Sequence, residues 1–315
     1  MERDKKVGIS IIIPTYNRGE ILKKTLRNLG KCRKNFGLEI ILIDNGSDKK
    51  NKKIYKNLAK EDLEVRLFEE LKPGPAAARN LGIKRAKGDI LIFINDDTEV
   101  GFNFLKNHFD FHTKNRNYNI AVIGPFKEKR KHISNAAIKW LVNKSGQYFS
   151  YEKVKAGGGV PWYYMWTCNM SLKRKFLQKN QIYFDEGFPT AAWEDIEFAY
   201  RAKNKGLVLY FDDKLDALHN YYFNFKEVLG RFYSHGRGLY HLKDKLPRNF
   251  LPPLGNFMIM EFFSLGFNIF LYKYWKLPVI KHLKNKNIAP NWIMQILAIG
   301  SKIEGYKYEE NRLRK

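Results

Sequence analysis

The chain has 315 residues, 44% hydrophobic and 15% aromatic, which excludes global disorder and allows one large domain, alone or with a smaller appendage. Its 57 basic and 32 acidic side chains give a net charge of +25, which favours anionic partners or a solvated basic surface. Two cysteines, Cys32 and Cys168, are too few for a disulfide framework and lack metal-ligand spacing, which suits a reducing compartment.

Val7–Ile13 is a β-branched run stopped by Pro14, the pattern of a buried parallel strand rather than of a signal peptide. Asn17, with Glu20 three residues on, predicts a capped helix over 19–34. Glu39–Ile43 reads as a second strand ending on Asp44-Asn45-Gly46-Ser47. Asn51–Leu58 reads as helix and Val65–Phe68 as a third strand. Pro75–Ala86 places proline in a first helical turn and stops before Gly88. Asp89–Ile94 is a fourth strand, closing on Asn95-Asp96-Asp97. This alternation implies an α/β fold with a mostly parallel sheet and helices on both faces. Ligands of such sheets bind beyond the carboxyl ends of the strands. PTYN (14–17), DNGSD (44–48) and NDD (95–97) all lie at such ends.

Further along, Gly157-Gly158-Gly159 and Pro161 predict a flexible segment, 167–172 a strand, 194–206 a helix and 207–211 another strand, with His219 just beyond. The apolar-aromatic stretch 257–275 precedes a tail, 281–315, with eight Lys/Arg against three Glu. Together they predict an interfacial element on anionic lipid, a helical cap on the catalytic domain, or a dimer contact. No run of ~18 uninterrupted apolar residues predicts a spanning helix.

Two acidic pairs carry the chemistry. Neighbouring carboxylates repel, and one takes up a proton unless a cation intervenes. Mg²⁺ or Mn²⁺ accepts carboxylate and phosphate oxygens together, so Asp96-Asp97 is a candidate metal–diphosphate site; the bland alternative is a solvated turn. Glu194-Asp195 opens a helix, where acids also cap the helix and complement its dipole. The functional alternative is a general base for an acceptor hydroxyl, with Trp193 as a wall of the acceptor pocket.

IIIPTYNR (11–18), LIDNGSD (42–48), GPAAARNLG (74–82), FINDD (93–97) and WEDIEFAYRAKNKG (193–206) occur in the order and approximate spacing of family 2 glycosyltransferases. The chain resembles that family over roughly residues 7–222. The resemblance implies the GT-A (nucleotide-diphospho-sugar transferase) fold over 1–225, followed by a basic, aromatic helical extension over 226–315. It implies a nucleotide base against Pro14, Thr15, Tyr16 and Asn17, with Asp44 and Asn45 at its edge. Arg79 and Asp96 would lie near ribose and phosphates. Asp97 would ligate Mn²⁺ or Mg²⁺, with His219 as a further contact. Asp195 would be the catalytic base, with Glu194 supporting the acceptor side. The implied activity is metal-dependent, inverting transfer in polysaccharide or glycolipid assembly. Asn45 stands where many relatives carry Asp, and an amide both donates and accepts, which loosens the base assignment; the DNGS variant resembles rhamnosyltransferase-like members, which points to a dTDP-sugar and leaves UDP- and GDP-sugars open. The implied acceptor is a glycan or a lipid-linked glycan. The implied location is cytoplasmic, peripheral on the inner face of the membrane. The rivals are a nucleotidyltransferase, which expects a Gly-rich basic loop that PTYNRGE lacks, and a nucleic-acid-binding protein. The latter leaves the acidic pairs unexplained, so nucleic acid is not an expected partner.

Overall fold

The structure, a computed structural model, describes residues 8–32, 37–61, 64–129, 136–143, 151, 154–247 and 291–314. The 257–275 stretch lies outside them. The chain divides into two compact units, Met1–Lys127 with Tyr151–Glu186 and Glu194–Tyr221, and Glu128–Ser150 with Gly187–Trp193 and Tyr222–Lys315.

In the first unit β1 (Ile9–Thr15), β2 (Leu38–Asp44), β3 (Val65–Glu69) and β4 (Ile90–Ile94) alternate with α1 (Gly19–Lys31), α2 (Lys49–Glu61) and α3 (Pro75–Arg85). Then follow β5 (Thr98–Val100), α4 (Phe104–Lys114), β6 (Ile120–Ile123) and β7 (Phe126–Glu128). Helix α5 (Ala136–Asn143) belongs to the second unit. The first unit resumes with β8 (Gly159–Val160), β9 (Asn169–Lys173), α6 (Arg174–Asn180), α7 (Glu194–Asn204), β10 (Val208–Phe211) and β11 (Ala217–His219). The large sheet has the order β3-β2-β1-β4-β9-β6-β10-β8, and β5-β11-β7 form a small second sheet.

The expected parallel core is there: β1 pairs with β2 and β4, and β2 with β3, all parallel. Ile9, Ile11, Ile12 and Ile13 are fully buried, as a strand covered on both faces requires. Chain order runs outward from β1 to β3 and then jumps back to β4, so the crevice between the ends of β1 and β4 is a topological switch point. Strand β9 departs from a purely parallel sheet: it runs antiparallel to both β4 and β6, with Ile94 opposite Asn169. Its first residues therefore reach the same sheet edge as the last residues of β4. Behind β9, the Ser171 hydroxyl sits between His108 Nδ1 (2.8 Å) and His112 Nε2 (2.9 Å). Burial pushes both imidazoles down to about 3, which keeps them neutral.

Two expectations change in detail. Pro14 does not end β1, because its ring removes a donor without breaking the register, and the pairing to β2 continues through Thr15 opposite Asp44. Asn17 does not cap α1. It adopts a left-handed backbone (φ 53°), and the first helical N–H, of Gly19, donates instead to Asn51 Oδ1 on α2 at 2.8 Å. Helix α3 lies close to the sheet because its inner residues are small: a Cβ on Gly82 would come within 2.5 Å of Ile12 Cγ2.

In the second unit α8 (Phe225–Leu242) opens with a capping box between Asn224 and Glu227. It crosses α9 (Asn291–Arg314) at glycines: a Cβ on Gly236 would meet Lys302 O at 1.8 Å, and one on Gly305 would meet Tyr233 O at 1.9 Å. Buried Glu309 accepts from Arg237 Nε at 2.8 Å and is 3.1 Å from His241 Nε2. Among the described residues no helix is long and apolar enough to cross a membrane.

Candidate active site

The first acidic pair lies just past β4, facing the tip of β1. Asp96 Oδ2 accepts from Thr15 Oγ1 at 2.8 Å, and its main-chain carbonyl accepts from Thr25 Oγ1 on α1 at 2.7 Å. The Arg18 guanidinium bridges the pair: Nη1 donates to Asp96 Oδ1 at 3.1 Å and to Asp97 Oδ2 at 2.6 Å. His219 Nε2 is 3.2 Å from the same Asp97 oxygen. The small sheet explains that contact. His219 pairs with Thr98, the residue after Asp97, and the Asn220 N–H donates to the Asp97 carbonyl at 2.7 Å. Burial, with the Asp97 charge beside it, pushes Asp96 up to about 6, although Arg18 opposes the shift.

The hydroxyl of wholly buried Tyr55 on α2 organises the loop in front. It accepts from the Arg18 N–H at 3.0 Å and lies 3.2 Å from Thr15 Oγ1 and 3.4 Å from Ser47 Oγ. Ser47 Oγ in turn accepts from Asn17 N, and Asp44 Oδ1 accepts from Ser47 N. Asn45 spends its amide on the main chain: Nδ2 donates to Glu70 O and Lys72 O, and Oδ1 accepts from Gly74 N. It thus shapes the loop leading into α3. Pro14 is half-buried, whereas Tyr16 and Asn17 are exposed at the same strand end.

The second acidic pair opens α7. Glu194 Oε1 accepts from Arg79 Nη1 on α3 at 2.7 Å, and both residues are buried. The sequence assigned Arg79 to the donor and Glu194 to the acceptor; the structure brings the two together. Glu194 Oε2 has no hydrogen-bond partner among the described residues. Asp195 Oδ1 accepts from the N–H of Ile196 at 2.9 Å. Burial first, and then the neighbouring Glu194 charge, pushes Asp195 up to about 7. That value suits a group exchanging protons near neutrality. Trp193, expected as a wall for an acceptor, falls in the second unit, where its indole N–H donates to His235 O at 2.9 Å.

Burial raises the pKa of the Cys168 thiol, immediately before β9, and the Asp195 and Asp97 charges add to that while Arg79 opposes it. Sequence reasoning named neither Arg18 nor Tyr55. The arginine of PTYNR was the one visible signal, a cation three residues past the end of β1. As a cation site, the first pair offers two carboxylates and an imidazole, donors that suit Mn²⁺ and, with added phosphate oxygens, Mg²⁺. Among the described residues no three His, Cys, Asp or Glu side chains form a ready-made cage. The Arg18 guanidinium stands in as the cation that the pair accommodates.

The sequence profile of glycosyl transferase family 2 matches residues 10–180, and the chain belongs to that family. An uncharacterized glycosyltransferase of Haemophilus influenzae is 37% identical over 109 residues, 34% of this chain and 43% of its own. The hyaluronan synthase of Pasteurella multocida is 27% identical over 68% of this chain and 24% of its own. The chain thus spans less than half the length of either relative. A dolichyl N-acetyl-alpha-D-glucosaminyl phosphate 3-beta-D-2,3-diacetamido-2,3-dideoxy-beta-D-glucuronosyltransferase of Methanococcus voltae is 26% identical over 84% of each chain. The fold is GT-A, similar to that of S. aureus TarS 1-349 in complex with UDP (TM-score 0.55, 18% identity, 98% of this chain and 91% of that one). It is also similar to GalNAc-T7 with UDP, GalNAc and Mn²⁺ (TM-score 0.51, 18% identity, 69% and 44%).

Proposed function

We propose that the chain is an inverting glycosyltransferase moving a sugar from a UDP- or dTDP-sugar to a hydroxyl of a glycan or lipid-linked acceptor. The observation that carries this reading is the contrast between two acidic pairs: Asp97 lies in a cluster that holds a cation, and Asp195, in the first turn of α7 beside the Arg79–Glu194 ion pair, is raised to about 7. The family match and the Methanococcus voltae relative's lipid-linked acceptor support the substrate class. So does an undecaprenol-linked acceptor named for a relative in Campylobacter jejuni, 34% identical over 29% of this chain and 30% of its own.

In this reading Pro14, Thr15, Tyr16, Asn17, Asp44 and Asn45 bound the nucleotide, and Asp96 faces the ribose. Mn²⁺ or Mg²⁺ would be held by Asp97 and His219 and would supply Lewis-acid neutralisation of the leaving diphosphate. Asp195 accepts the proton of the attacking acceptor hydroxyl. Attack opposite the leaving group inverts the anomeric carbon in one displacement, through an oxocarbenium-like transition state. Glu194 keeps Asp195 basic and is itself held by Arg79. The catalytic region is 1–225, and the basic, aromatic region after it, whose described helices are α8 and α9, meets an anionic membrane surface from the cytoplasmic side.

A panel of nucleotide-sugars, read by released diphosphate with and without Mn²⁺, tests the reading. Turnover of a UDP- or dTDP-sugar that needs Mn²⁺ and disappears in Asp97→Ala is expected. Near-normal turnover in that variant overturns the metal assignment. Salt-sensitive DNA or RNA binding without any turnover favours the nucleic-acid rival.

A further inference from the structure

We propose that Arg18 is the resident counter-ion of the donor site, a guanidinium that a divalent cation must displace from Asp97 in order to bind. This rests on the donor-site reading above and concerns a residue outside it. A single nitrogen, Nη1, serves both acids, at 3.1 Å from Asp96 Oδ1 and 2.6 Å from Asp97 Oδ2. A metal–oxygen bond to Asp97 would be about 2.1 Å long, so on either carboxylate oxygen the ion lies close to the guanidinium and repels it.

The two sides of the cluster differ in freedom. The carboxylates are fixed. Their side chains are 8% and 4% exposed; Thr15 holds the Asp96 carboxylate, Thr25 its carbonyl, and Asn220 N–H the Asp97 carbonyl. The Arg18 side chain is 32% exposed and lies 4.5 Å from the Tyr221 ring centroid, on a cation–π surface rather than in a closed socket. Its backbone is anchored independently, through the N–H that donates to Tyr55. The guanidinium can therefore leave without disturbing the loop. It is the movable cation and the acids are the rigid receptor.

The test is Mn²⁺ titration of the full chain without nucleotide, with free Mn²⁺ followed by electron paramagnetic resonance. Wild type, Arg18→Met and Arg18→Lys are compared, with circular dichroism confirming the fold. Arg18→Met is expected to bind Mn²⁺ about tenfold more tightly than wild type, because a competing charge at contact distance is gone. Arg18→Lys falls between them. Equal or weaker binding in folded Arg18→Met overturns the proposal and leaves the metal assignment standing. Absence of Mn²⁺ binding in every protein overturns both, and the nucleotide-sugar panel then tests transfer separately. Should Arg18→Met fail to fold, arginine side-chain ¹⁵N spectra of wild type decide, with the Arg18 signal identified by its loss in Arg18→Lys. Saturating Mg²⁺ is expected to release the slowed rotation of its Nη groups, and a signal that stays locked refutes displacement.

Discussion

The two acidic pairs begin alike and end differently. Both are adjacent carboxylates at the tip of a regular element, both are largely withdrawn from water, and both meet an arginine. At Asp96-Asp97 the arginine reaches both acids through one nitrogen and stays partly open to solvent. At Glu194-Asp195 the arginine is buried and reaches only the first acid. The first arrangement favours holding a cation. In the second, among the described residues Arg79 pairs with Glu194 and not with Asp195, and burial with the Glu194 charge lifts Asp195 to about 7 against Arg79, where it can exchange a proton. Two carboxylates in sequence thus carry no fixed role; the placement of the counter-charge assigns it.

The largest effect should come from removing the proton acceptor. Asp195→Asn is expected to slow transfer about 100- to 10,000-fold, the usual contribution of a general base, while UDP binding by calorimetry stays within twofold. Normal transfer would place the base elsewhere and dissolve the contrast between the pairs.

Next is the buried ion pair. Arg79→Met leaves the Glu194 carboxylate buried without its partner and should cost about 3–5 kcal/mol in a urea unfolding titration. A loss under about 1 kcal/mol would mean that water reaches Glu194 and that the second pair is not the dry one.

A pH profile sharpens the comparison further. Below about pH 7 Asp195 holds its proton and cannot accept another, so kcat should rise with pH through that value. In Glu194→Gln the neighbouring charge that helps raise Asp195 is gone, and the acid limb should move to lower pH. Burial, the larger cause, should keep it above the ordinary carboxylate range. An unmoved limb would mean that Glu194 does not tune Asp195.

The smallest expected effect is at the first pair. Thr15→Val removes a buried hydroxyl that donates to the Asp96 carboxylate at 2.8 Å. It should lower stability by about 1.5–3 kcal/mol, the range for a hydrogen bond to a charged group. No change would show that Arg18 alone holds Asp96.

Much of the frame was legible. The runs Val7–Ile13, Glu39–Ile43 and Asp89–Ile94 are apolar because the strands are covered on both faces, and strand ends fix where polar clusters must emerge. Asp96-Asp97 and Glu194-Asp195 could be singled out because each sits at an element boundary. The direction of β9 could not be read, since periodicity gives a strand but not its partner. The resemblance assigned Asn45 and Asn17 to the nucleotide, but it could not show that the amide of Asn45 and the backbone N–H and side-chain carbonyl of Asn17 also hold the loops together. Tyr55 lies within the helix expected over 51–58, and only folding makes its hydroxyl the hub of three segments.

The sequence by itself determined the alternation of strands and helices, the edge of the sheet where the chemistry gathers, and the positions of the acids. These are short-range properties, set by side-chain period and by where regular elements stop. The tertiary structure decided which cation faces which acid: Arg18 reaches Asp97 across 79 positions of chain, and Arg79 reaches Glu194 across 115. Coulomb energies depend on separation and burial in space, so the choice between holding a cation and holding a proton could be made only after the chain had closed on itself.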